Sequence, residues 1–157
     1  MAVADLGAAF PFSDESFDIV HANQVIEHMS DIDHFLAETK RVLRVGGAAV
    51  ISTENGSSWH NILAAIMGWQ IFSLTNVSGV VSGVGNPLAL YRGCPPGAST
   101  WRHKTIFNYR GLVEILQAHG LLVERTLGAG YYPLPAGIGR IDSRHAHFIA
   151  VRAVRIA

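Results

Sequence analysis

At 157 residues, 49% of them apolar, the chain is long enough to bury one ordinary core and too short for two independent ones. Its 12 basic residues balance its 12 acidic ones, so it lacks the basic footprint that phosphate backbones select, and no nucleic-acid partner is expected. The single cysteine, Cys94, excludes an internal disulfide, no Cys/His spacing fits a zinc site, and Met1 to Ala8 has no charged-then-apolar leader, so no metal and a cytoplasmic location are expected.

In chain order, the turn-rich Pro11 to Ser16 precedes Phe17 to Asn23, whose apolar, β-branched centre predicts a buried strand. Asp31 to Arg44 carries Ile32, Phe35, Leu36, Val42 and Leu43 at near-helical spacing. Ser30 or Asp31 is its expected N-cap. Asp33 complements the N-terminal dipole, Lys40, Arg41 and Arg44 the C-terminal one, and Gly46-Gly47 is the expected stop. The uncharged run Ala48 to Thr53 predicts an interior parallel strand, which completes a βαβ unit.

From Asn55 to Tyr91 there is no Asp, Glu, Lys or Arg. Trp59 to Leu74 is expected to form a helix, and its apolar run from Ile62 to Leu74 falls short of the ~18 residues a spanning helix requires. No transmembrane segment is therefore expected. Asn76 to Pro87 mixes turn residues with valines and is expected to be a loop or short hairpin. Asn108 to Gly120 predicts a helix capped by Asn108, lined by Leu112, Ile115 and Leu116, and ended by Gly120. Leu121 to Leu127 and His145 to Val154 are the last two predicted strands, joined by a Gly/Pro-rich connection over Gly128 to Gly139.

Several of these stretches together resemble the type 11 class I S-adenosylmethionine-dependent methyltransferases, the group that includes the ubiquinone/menaquinone C-methyltransferase-like enzymes. They are Asp5-Leu6, then FPFSDESFDIV over Phe10 to Val20, QVIEH over Gln24 to His28, FLAETKRVLRVGG over Phe35 to Gly47, and HKTIFNYRGLVEILQAHG over His103 to Gly120. The resemblance implies an α/β fold, a Rossmann-like sheet of which this chain supplies the fourth to seventh strands, with the last antiparallel and helices flanking it. It further implies an N-terminally truncated domain over 1–157, without the strands and glycine-rich turn that precede this region in the family, and with 55–104 as a charge-poor, acceptor-side insertion.

The implied cofactor is S-adenosyl-L-methionine. Asp5 and Leu6 match the adenine-contacting pair: a carboxylate accepts from the exocyclic amino group, the next N–H donates to a ring nitrogen, and an apolar side chain covers the base. The alternative is a turn Asp beside a core Leu. Ala22, Asn23 and Gln24 end the first strand, where open α/β sheets bind ligands, and match the methionine-facing positions, although Asn23 and Gln24 also read as ordinary loop amides. His28 belongs to the matched set, and a loop-bracing imidazole is the simpler reading of it. Methyl transfer from a sulfonium needs mainly positioning and dryness, so a base is required only for a weak nucleophile, and His60 and His103 are candidates. His145 and His147 alternate on a predicted strand, which would place both rings on one face without a third metal ligand.

The expected function is methyl transfer to a small-molecule or lipid-like acceptor, with contact to an apolar acceptor or a membrane surface through the charge-poor segment. The competing reading is an inactive remnant or interaction module, whose open first-strand edge would recruit a partner chain.

Overall fold

A computed structural model describes residues 3–95, 102–132 and 134–157. The 96–101 part of the 55–104 segment, and residue 133 in the Gly/Pro-rich connection, lie outside the described residues.

Four strands form one sheet in the order β1-β2-β4-β3, where β1 is Phe17–Asn23, β2 Leu43–Glu54, β3 Leu121–Ala129 and β4 Phe148–Arg155. β1 runs parallel to β2, and β4 is antiparallel to both β2 and β3. The predicted α/β sheet with its reversed last strand is therefore the fold observed. Parallel β1 and β2 require a crossover, and α1 (Ile32–Val42) provides it. The Asp31 side chain caps α1 by accepting the His34 N–H at 2.8 Å.

Register separates the two faces of the sheet. Val20, Ala49, Ala153 and Val123 lie in one row, and Ala22, Ile51, Val151 and Thr126 in another. Ala22, Ala49, Ile51, Val151 and Ala153 of these rows join Phe35 and Leu36 of α1 and Leu112 and Leu116 of α3 (Tyr109–Ala118) in one buried cluster. The opposite row, Ile19, Ala48, Val154 and Leu122, carries two exposed apolar side chains, Ile19 at 65% and Leu122 at 49%. β1 is an edge strand: among the described residues no strand pairs with its outer side.

Several predicted boundaries move. α1 ends at Val42, and Gly46-Gly47 does not stop it. Leu43 already pairs with Phe17, and the register then jumps to Ile19 with Ala48, so residues 44–47 bulge out within β2. A Cβ on Gly47 would lie 2.9 Å from the Arg44 carbonyl oxygen and 3.0 Å from that of Asp18, so the close backbone approach there selects glycine. Arg44, beyond the helix, pairs with Asp18 at 2.8 Å.

The predicted Trp59 to Leu74 helix divides into α2 (Trp59–Ile66) and a 3-10 turn at Phe72–Leu74, because Gly68 takes a left-handed φ of +71°. No strand forms over 76–87 among the described residues, which settles that stretch as loop. Asn108 precedes α3 without a side-chain capping bond, whereas Gly120 ends that helix at φ +73° as expected.

The predicted strand His145 to Val154 begins three residues later, at Phe148. Residues 144–147 are held instead by Asn55, whose side-chain amide donates to the carbonyls of Arg144 and Ala146, at 2.8 and 2.9 Å. His145 and His147 therefore do not share a strand face. His145 bonds Asp142 through Nδ1 at 2.9 Å and stacks on Trp59, while His147 packs edge-on against His60.

Candidate functional site

The C-terminal ends of β1 and β2 lie side by side, with Asn23 opposite Ser52. Ala22 is buried in the core cluster, and Asn23 is exposed with its side-chain oxygen accepting the Ser52 hydroxyl at 2.5 Å. Gln24 takes a left-handed φ of +54°, an uncommon conformation for a residue with a side chain, and its N–H donates to the Ser52 carbonyl at 2.9 Å. Strain of this kind gathers where a chain must present backbone to a ligand. The three predicted positions thus sit together at the strand ends.

Asp5 is exposed and opens a turn: its Oδ1 accepts the Gly7 N–H at 2.9 Å, and its carbonyl accepts the Ala8 N–H at 3.1 Å. Leu6 packs against the same core as Ala22. The segment that carries the pair is clamped onto α1 by Glu38 and Arg41. Glu38 Oε2 accepts the Phe10 N–H at 2.6 Å, and Arg41 donates to both Glu38 oxygens, to Asp14 and to the carbonyls of Phe10 and Phe12. The Arg41 guanidinium and the Phe10 N–H together hold the Glu38 carboxyl down at about 2.

His28 lies just past the strand end and donates Nδ1–H to the Arg102 carbonyl at 3.1 Å; a carbonyl only accepts, so Nδ1 must carry the proton. It therefore braces the loop over Arg102 and sits 4.9 Å, ring to ring, from His103. His103 is fixed in the same way, donating Nδ1–H to the Ser73 carbonyl at 2.6 Å, with Glu54 at 3.9 Å. Both rings keep Nε2 as their basic atom.

Glu27, which sequence reasoning passed over, is fully buried beside them. Its Oε2 accepts the Thr53 hydroxyl at 2.9 Å, and its Oε1 has no hydrogen-bond partner. One ligand atom each from Glu27, His28 and His103 lie within 4.8 Å of one another, so these residues could hold a metal ion, where the sequence had led us to expect none.

Beyond β2 opens a cavity of about 810 Å³, lined by the end of β2 at Glu54, by residues of the charge-poor segment, and by Arg102, His103, His147 and Phe148. His60, His103 and His147 meet here although they are far apart in sequence. Burial, with His147 adding to it, pushes the His60 imidazole down to about 4, which makes it a poor base at neutral pH. Burial also lowers His147. Of the two candidate bases, His103 alone has an acid near it among the described residues. Glu54 was findable as the residue that follows the predicted strand Ala48 to Thr53, whereas the histidine grouping had no local signal.

A family model described as a methyltransferase domain matches residues 1–51. A Mycolicibacterium smegmatis protein named as a probable S-adenosylmethionine-dependent methyltransferase is 30% identical over 150 residues, which are 96% of this chain and 45% of that protein. The mitochondrial ubiquinone biosynthesis O-methyltransferases of Mus musculus and Homo sapiens are 30% and 29% identical, over 83% and 76% of this chain and 30% and 27% of theirs. The chain thus spans less than half the length of these relatives.

Among solved structures, a SAM-dependent methyltransferase from Methanosarcina mazei superimposes with a TM-score of 0.59 at 17% identity, covering 99% of this chain and 66% of that one. One from Mesorhizobium loti gives 0.53 at 17% identity, over 97% and 67%. At these identities the likeness is one of fold.

Proposed function

We infer, from the chain's membership of the type 11 class I S-adenosylmethionine-dependent methyltransferases, that it forms the adenine-facing wall and the acceptor pocket of a methyl-transfer site. The acceptor is a small-molecule or lipid-like compound. In this reading residues 1–157 act as one methyltransferase domain, with 55–104 as its acceptor-side segment. One observation carries it: the left-handed Gln24 and the mouth of the cavity at Glu54 lie at the C-terminal ends of the two paired parallel strands, where open α/β sheets bind ligands.

The residues present fit the adenine side of S-adenosylmethionine. An exposed carboxylate at Asp5 and a half-buried Leu6 give an acceptor and an apolar cover. Bound there, the cofactor supplies a methyl group on a positively charged sulfonium. Asp5 would accept from the adenine amino group, the Leu6 N–H would donate to the ring, and the Leu6 side chain would cover the base. Backbone at Asn23 and Gln24 would face the methionine portion, and His28 would keep the adjoining loop at Arg102 in place. His103 takes the acceptor's proton at Nε2 while Ser73 and Glu54 steady the charge that forms on its ring. The cavity's lining includes Phe72, Leu88, Leu90 and Phe148, apolar surface that favours an apolar acceptor.

The open edge of β1, with Ile19 exposed beside it, is in this reading a place for a further strand from a partner chain. Calorimetry with S-adenosylhomocysteine tests the central assignment. Micromolar binding that weakens about tenfold or more in Asp5→Ala is expected. Absence of binding would return the chain to the reading of an inactive remnant.

A further inference from the structure

One permanently charged cation lines the cavity without a side-chain partner among the described residues. Of the residues that line it, Arg102 is the only Arg or Lys, and the charge-free 55–91 segment supplies much of the rest of the wall. Elsewhere the half-buried arginines are matched: Arg41 with Glu38 and Asp14, Arg155 with Glu15. The Arg102 guanidinium takes part in no hydrogen bond or ion pair among the described residues. Glu54, the cavity's other charged side chain, leans toward His103 at 3.9 Å instead.

The guanidinium lies against the backbone of the cavity wall. A Cβ on Gly79 would lie 2.8 Å from Nη1 and 3.4 Å from Cζ, so the group rests on the bare Gly79 backbone. At the other end of the residue, the Arg102 carbonyl is tied by the His28 ring.

We propose that Arg102 is the anion-reading residue of this cavity and that the acceptor it selects is an apolar molecule carrying a carboxylate. This rests on reading the cavity as the acceptor site and narrows the acceptor's chemical class. A guanidinium cannot lose its proton, so it stays charged even where half withdrawn from water. The surroundings that lower the local dielectric also strengthen its pull on an anion. Its planar fork offers two parallel N–H donors, which match the two oxygens of a carboxylate in one plane. The apolar part of the same molecule then lies along Phe72, Leu88, Leu90 and Tyr91. A phosphate would satisfy the same charge with tetrahedral geometry, and the test separates the two.

The full chain, without cofactor, is titrated by calorimetry with decanoate, decyl phosphate and decanol at neutral pH, below their micelle concentrations. Decanoate is expected to bind about tenfold or more tightly than decanol, and more tightly than decyl phosphate. Arg102→Gln is expected to abolish that preference while leaving decanol affinity unchanged. Arg102→Lys, which keeps the charge without the fork, falls between. Gly79→Ala, which displaces the guanidinium without removing it, should weaken decanoate alone and guards against a fold defect in the Arg102 variants.

Equal binding of decanoate and decanol, a preference that survives in Arg102→Gln, or no binding of any of the three overturns the proposal. Tighter binding of decyl phosphate overturns the carboxylate assignment. Because no cofactor is present, these outcomes are independent of whether S-adenosylhomocysteine binds. A failure of the cofactor titration with the decanoate preference intact would sink the methyl-transfer reading alone.

Discussion

Glu38→Gln tests how the Asp5–Leu6 segment is held. The Glu38 carboxylate accepts the Phe10 N–H and two Arg41 donors, and these contacts take its titration from 4.5 to about 2. A tenfold change in proton affinity is worth about 1.4 kcal/mol, so the ceiling is on the order of 3 kcal/mol. Arg41 is 29% exposed, and solvent screening reduces the expected loss to about 1–2 kcal/mol. The folded-state value lies below the unfolded one, so the stabilisation is complete above pH 4.5 and is lost as pH falls toward 2. Urea unfolding at about pH 7, 4.5 and 3 should show wild type losing stability across that window. Glu38→Gln should begin lower at neutral pH and lose less. Hydrogen exchange should show a weaker Phe10 amide in the variant. Equal pH slopes for the two proteins would refute the assignment of the clamp.

Three further outcomes follow from the packing. His60 titrates at about 4, below its ordinary 6.5, so the unfolded chain binds more protons between those values and stability falls as pH drops through them. His60→Gln should flatten the melting temperature between about pH 7 and 5, which thermal scans at both values would check. Leu116→Ala empties a fully buried position between α3 and the sheet and should cost about 2–5 kcal/mol in urea unfolding. Gly47→Ala forces a Cβ against the carbonyl oxygens of Arg44, Asp18 and Phe17 at the β1–β2 junction and should cost about 1–3 kcal/mol, read in the same assay.

The sheet was legible because its strands are short runs rich in apolar and β-branched residues, separated by turn residues and by a clearly periodic helix, a pattern that local residues determine. What the sequence concealed depends on tertiary partners. The end of α1 is set by Leu43 pairing with Phe17 and not by the glycines that follow. The start of β4 is set by Asn55, some ninety residues away, which captures 144–147 with its side chain. The candidate site divides in the same way. Asp5, Leu6 and Ala22 to Gln24 stand in contiguous stretches whose pattern the family resemblance made readable. The Glu27, His28 and His103 grouping and the cavity histidines come from segments far apart in sequence that the fold brings together, and no spacing announces them.

The central claim is that the ends of β1 and β2 and the Asp5–Leu6 turn form one wall of a cofactor site. Backbone amide shifts of the isotopically labelled chain, followed by NMR during titration with S-adenosylhomocysteine, test it most directly. The account predicts saturable changes at Asp5, Leu6, Gly7 and Ala22 to Gln24, with little change along α3. Changes confined to α3 or to the Trp59–Ile66 helix, or no changes at millimolar ligand, would contradict it.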